Sequence, residues 1–174
     1  MSNNPYQAPA TTTPTKAPSK QKRVPARRFA RFAGAMVDGI LLGLINTPIL
    51  LFVILPLLNS SFQELSTLAY DPIYLVVGFV VGQLVFLAVQ GYLLATKGQT
   101  VGKLLVKTRI VKTGTSDVPE FIPLYTKRYL IMGIIFSVPV IGGFIALANA
   151  LMIFRDNRHC LHDDIAGTDV IEAN

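Results

Sequence analysis

The sequence predicts an all-α membrane protein with two full transmembrane helices, a third apolar segment broken in its middle, and a short cytoplasmic amphipathic hairpin or helix. Three observations carry this. Residues 33 to 58 are apolar except for Asp38, Asn46 and Thr47. Residues 72 to 95 form a second run of the same kind. Each is long enough, at about 1.5 Å per helical residue, to cross a hydrocarbon core of about 30 Å. Composition agrees: of 174 residues, 51% are hydrophobic and only 15% charged, with no tryptophan, where a soluble domain carries about 25% charge.

The net charge of +6 does not indicate a nucleic-acid partner, because of where it sits. Seven of the sixteen Lys and Arg lie at or before Arg31, and seven more lie between Lys97 and Arg128. Both groups flank apolar segments, as topogenic charge does, so their partner is the anionic headgroup layer of a bilayer. The expected location is the cell (inner) membrane, multi-pass, with the amino terminus cytoplasmic. The chain has one cysteine, Cys160, which rules out an intrachain disulfide.

Residues 1 to 26 read as a disordered, basic, proline-rich cytoplasmic tail, with Pro5, Pro9, Pro14, Pro18 and Pro25 in a background without apolar period. It is not expected to be a signal peptide, because the following apolar run exceeds the roughly 7 to 15 residues of a signal core. The membrane domain spans 27 to 171, leaving 172 to 174 as the carboxyl end. Its first span, about 33 to 58, carries Gly39 and Gly43 in a GxxxG spacing that permits close helix approach. Pro48 and Pro56 suggest a bend in its outer half. The loop 59 to 71 holds Glu64 and Asp71 and no base, so it belongs on the non-cytoplasmic side. The second span, about 72 to 95, carries Gly78 and Gly82, again as GxxxG, and Gln83 and Gln90 on one face. Amides in a span bond across helices, so packing is their first reading and a transport path the second.

The basic stretch 96 to 128 returns to the cytoplasmic side. Partial alternation over 105 to 112, followed by a turn at 114 to 117, predicts an amphipathic hairpin, with an interfacial helix as the alternative. Gly98, Gly102 and Lys103 resemble a phosphate-binding loop but lack its four-residue glycine spacing, and Leu104 stands where a metal-reaching Ser or Thr belongs. Nucleotide binding is rejected on that ground. Residues about 129 to 154 are apolar, with Pro139, Gly142 and Gly143 breaking the middle. The segment either crosses once or forms a hairpin, and the positions of Arg155 and Arg158 favour the hairpin. The tail clusters His159, Cys160, His162, Asp163 and Asp164, in a spacing that fits no standard zinc module. No metal, cofactor or catalytic residue is expected, and the absence of a serine nucleophile with its base, or of a HisGluXaaXaaHis motif, argues against an enzyme.

Three motifs together resemble one family. Arg31 with the run Ala33 to Asp38, then Gly98, Gln99, Thr100, Val101, Gly102 and Lys103, then Leu161 to Thr168 are similar to the RDD family of small bacterial membrane proteins. That family is named for an arginine and two aspartates. By position the resemblance places these on Arg31, Asp38 and Asp163. The family usually has proline where Val101 stands. Its biochemical role is largely undefined, and some members are linked to sodium/proton exchange.

A carboxylate inside a span is costly, which makes Asp38 a functional candidate. Arg31 and Asp38 are seven residues apart, about 10 Å along a helix, and both lean towards the amino terminus. A direct pair is therefore not expected. Arg31 should meet Asp163 or Asp164, and Asp38 should be held by Gln83, Gln90 or Arg128. Exchanging the charges of Arg31 and Asp163 is then expected to restore accumulation lost in either single variant. Three roles remain: a packing constellation in a protein of undefined function, a cation/proton exchanger or part of a transporter, and an accessory subunit docking a larger membrane partner. A homo-oligomer would assemble a path that these few polar groups do not complete in one protomer.

Overall fold

Helix α1 runs Arg28–Leu57 and helix α2 Pro72–Lys97, both long and apolar enough to cross a membrane. They belong to a computed structural model that describes residues 24–58, 61, 63, 67, 70–155 and 159–173. The expected tail up to residue 23, most of the acidic loop including Glu64, and Arg158 lie outside the described residues. α1 starts five residues before the apolar run, so Arg28 and Arg31 are helical. Its outer part is π-wound over Leu50–Ile54, between Pro48 and Pro56, each of which lacks one helical N–H donor. α2 starts because Asp71 accepts from the N–H groups of Ile73 and Tyr74, at 2.8 and 3.1 Å, with Pro72 in the first helical position. It ends at Gly98, whose φ of 62° is the left-handed stop that glycine takes without strain.

After Gly98 come the short helix α3 (Val101–Leu105) and strand β1 (Thr108–Lys112). Helix α4 covers 121–136, π-wound over Tyr125–Leu130, and helix α5 covers Ile141–Phe154. Helix α6 (Leu161–Ala166) and strand β2 (Thr168–Glu172) complete the chain.

The fold is therefore not purely α. β1 has no local hairpin partner; it pairs antiparallel with β2, Thr108 opposite Glu172 and Lys112 opposite Thr168. The outer edge of β2 is covered by residues that sequence places in the tail. Ala26 N–H donates to the Val170 carbonyl at 3.0 Å, Glu172 N–H to the Val24 carbonyl at 3.0 Å, and Pro25 bridges Ile171. Residues 24 to 26 are thus part of the folded unit and Glu172 is a strand residue, because the exposed edge of β2 needs backbone partners. Proline fits there, where the edge residue needs no donor. Ala26, Phe86, Leu94, Ile110, Leu124 and Val170 form a core under this ribbon.

The glycine pairs do not mark the close contacts inside the chain. A Cβ on Gly39, Gly43 or Gly78 would meet nothing within 4 Å, and one on Gly82 only Asn46, at 3.9 Å. The tight approaches are elsewhere. Gly102 lies against the Gly34 carbonyl, and a Cβ on Gly133 would sit 2.9 Å from the Gln83 amide and 3.2 Å from Phe79.

The third apolar segment breaks over residues 137 to 140. Ile141 N–H donates to the Pro139 carbonyl at 2.7 Å around Val140, whose φ of 65° and ψ of −60° make a strained γ-turn. α5 packs against α4. Met132 and Gly133 of α4 line the same cavity as Asn149, Ala150 and Ile153 of α5.

Candidate functional site

Asp163 is the centre of the polar cluster. It is 1% exposed, and each carboxylate oxygen takes one arginine: Oδ2 accepts from Arg31 Nη2, and Oδ1 from Arg128 Nη1. The Cys160 N–H also donates to Oδ2, at 3.1 Å, so Asp163 closes the first turn of α6 while serving both cations. Arg128 donates further to the Thr168 hydroxyl, at 2.5 Å, at the start of β2. One carboxylate thereby ties the start of α1, the π-wound part of α4 and the β2 end together. Burial alone would push the Asp163 carboxyl up; Arg128, Arg31 and the Cys160 N–H outweigh it and hold it well below the usual carboxylate range.

Asp38, half-buried, is served by a different element. Its Oδ2 accepts from the Thr100 hydroxyl at 2.5 Å and its Oδ1 from the Gly102 N–H at 2.7 Å. Gly98, Gln99, Thr100 and Gly102 of the 98 to 103 motif each have a task here. Gly98 makes the left-handed turn, where a Cβ would fall 2.7 Å from the Ile110 carbonyl oxygen. Gln99 fastens β1 by donating to the Thr108 carbonyl at 2.8 Å. Thr100 caps α3 and donates to Asp38. Gly102 lets the loop backbone touch α1, since a Cβ there would be 2.9 Å from the Asp38 carboxyl carbon and closer still to Gly34. The loop that fails as a nucleotide cradle accepts a carboxylate from its own chain instead.

Lys103 borders the cavity and feels the charge of both aspartates. Burial and the nearby Arg128 pull its ammonium down to about 8. His162 N–H donates to Asn149 Oδ1 at 3.4 Å, and its Nδ1 lies 3.0 Å from the same oxygen. Burial and Arg128 push that imidazole down to about 3, so it is neutral. The Cys160 thiol is pushed up by burial and by Asp163, with Arg31 Nη2 4.0 Å from its sulfur. Arg31, Asp38, Gln90, Lys103, Arg128 and His162 all border one cavity of about 480 Å³.

The metal question can be tested on this geometry. Ligand atoms of Cys160, His162 and Asp163 lie within 4.8 Å of one another. A dication there would have to displace two guanidiniums from the only carboxylate of the three. The donor set and the surrounding charge do not fit one.

The expected pairing of Arg31 with Asp163 is present, whereas Asp164 instead lies 3.1 Å from His159 Nδ1 and 3.9 Å from Arg155. The expected partners of Asp38 are corrected. Gln83 accepts from the Tyr125 hydroxyl at 2.8 Å, Gln90 faces the cavity, and Arg128 is committed to Asp163 and Thr168. Seven residues separate Arg31 from Asp38, enough for each to find a receptor on a different element. Thr100 and Gly102 were legible as a motif but not as the receptor of Asp38. The signal was available: a threonine N-cap with free N–H groups behind it donates readily to a carboxylate. Nothing local to Thr168 or Asn149 marks them.

A family model described as RDD family matches residues 25–167. No curated protein and no solved structure matches the chain.

Proposed function

The chain belongs to the RDD family, a membrane-associated family, and from that premise we propose that it is a non-enzymatic, multi-pass accessory protein of the cell membrane. Its Arg31, Asp38 and Asp163 act as a structural latch in this reading. The amino-terminal end, the 98 to 128 loop and β2 occupy one end of the bundle. The basic clusters ending at Arg31 and across 97 to 128 support a cytoplasmic position for that end. The third apolar segment is then a hairpin, entering and leaving on the cytoplasmic side. The bond between Arg128, before it, and Asp163, after it, supports this, as does the shared lining of α4 and α5.

The observation that carries the latch is Asp163 shared between two buried arginines. With Arg31, Lys103 and Arg128 against Asp38 and Asp163, the cluster holds more positive than negative charge. A cation path needs the reverse. The open faces at Gly39, Gly43 and Gly78 leave room for a helix of a second copy or of a larger membrane partner. Purified protein in liposomes tests the reading: no sodium-driven proton flux is expected, and flux abolished by Asp38→Asn would refute it.

The exchanger reading rests on Asp38, the carboxylate that borders the cavity with only Thr100 and Gly102 as bonded partners among the described residues. It requires Asp38→Asn to abolish activity while the protein still accumulates. The latch reading expects Asp38→Asn to accumulate better than Asp38→Leu, because the amide oxygen can still accept from the Gly102 N–H and the amide NH2 can donate to the Thr100 hydroxyl.

A further inference from the structure

We infer that the cavity between α1, α2, α4 and α5 is a binding site for one anionic phospholipid, seating its phosphate at Lys103 and its ester carbonyl at Gln90. The inference uses the membrane setting of the chain and does not depend on the accessory role.

Gln90 carries the argument. It is 0% exposed and borders the cavity, yet neither its amide nitrogen nor its amide oxygen has a hydrogen-bond partner among the described residues. A buried amide left bare in an apolar interior is costly, so such a group points to a ligand that completes it. Lys103 borders the same space and forms no ion pair among the described residues. Around it the cluster carries one positive charge more than its two aspartates neutralise, which calls for an anion. The opposite part of the wall is hydrocarbon: Leu42, Phe86, Met132, Phe136 and Ile153.

From Arg31 to Leu42 the lining of α1 extends about 16 Å along the axis, long enough to run beside a headgroup and the first part of an acyl chain. Gln90 stands seven residues before Lys97, about 10 Å in from the end of α2. In a phospholipid a phosphate, a pair of ester carbonyls and an acyl chain follow one another in that order. The amide N–H of Gln90 donates to an ester carbonyl, Lys103 faces the phosphate, and the apolar wall covers the first carbons of the chain. The volume of about 480 Å³ suits the glycerophosphate region with the upper part of one chain. A free phosphate would satisfy Lys103 and leave both Gln90 and the hydrocarbon wall unused.

The test is native mass spectrometry of the full chain in detergent, titrated with phosphatidylglycerol and phosphatidylcholine of identical acyl chains. Wild type is expected to keep one phosphatidylglycerol and to hold phosphatidylcholine roughly tenfold more weakly, because the two share the phosphate and only the choline cation is repelled by the excess positive charge of the cluster. Lys103→Met should remove that preference, with Lys103→Gln as a second variant. Gln90→Leu should weaken both lipids while keeping the preference. The exposed Lys127, which does not border the cavity, is the control. The inference is overturned if wild type holds both lipids equally, or if Lys127→Met acts like Lys103→Met. It is also overturned if inorganic phosphate alone displaces the lipid, since the site would then read a free anion.

Discussion

Asp163 gives the sharpest quantitative test. Its side chain is 0% exposed, and the two guanidiniums it serves are 6% and 2% exposed on Arg31 and Arg128. Asp163→Asn keeps the size and an acceptor for the Cys160 N–H but removes the charge shared by both arginines. Leaving buried charges without their counter-ion costs about 3–5 kcal/mol. That is roughly two to four powers of ten in the folded-to-unfolded ratio. Replacing all three charges, as Arg31→Met, Arg128→Met and Asp163→Asn together, should recover the loss to within about 2 kcal/mol of wild type, because neither guanidinium is then left buried without its counter-ion. The assay is circular dichroism during SDS titration of the protein in a mild detergent. Exchanging Arg31→Asp with Asp163→Arg, the rescue that a simple pair would allow, should fail, since the transplanted guanidinium would face Arg128. The latch is refuted if Asp163→Asn costs under about 1 kcal/mol, or if the triple variant is no more stable than Asp163→Asn alone.

Other consequences follow from single positions. His162 is neutral when folded, with its titration moved from 6.5 to about 3, so the unfolded chain binds the extra proton between those values. Stability should therefore fall as pH drops from 6.5 towards 3, and His162→Gln should flatten that limb in melting temperature against pH; an unchanged slope would reject the assignment. Gly102→Ala should destabilise by about 1–3 kcal/mol in the same SDS titration, because the new methyl meets backbone and the Asp38 carboxyl. Gly34→Ala should cost less, its nearest obstacle being the Val106 side chain at 3.1 Å. Val140→Gly should stabilise by about 1 kcal/mol by relieving the positive φ, read as a higher SDS midpoint. In a Cys160-free background, Ser66→Cys should react with an impermeant thiol reagent applied outside intact cells and Ser116→Cys should not; the opposite pattern would invert the orientation.

Much of this protein is written in local sequence. The two long helices follow from apolar runs whose length and lack of charge admit little else, and Asp71, Pro72 and Gly98 set the limits of the second. The Arg31–Asp163 pair was also legible, because an arginine at the start of a span needs a carboxylate and a hairpin returns Asp163 and Asp164 to the same face. What sequence did not determine is which distant segments meet. β1 shows partial alternation but not its partner, since strand pairing depends on edges that only the folded chain brings together. GxxxG spacing marks where a helix can be approached, yet the close contact falls at Gly34 and Gly102, because the Asp38 bonds pull the loop there. Arg128 and Gln83 are plausible partners for Asp38 by chemistry alone. Tertiary structure sends Arg128 to Asp163 and Gln83 to Tyr125, and leaves Asp38 to Thr100 and Gly102. Hydrophobic length is a sum over neighbours in sequence and can be read from it; the choice among competing polar partners is a three-dimensional comparison of distances, and only the fold makes it.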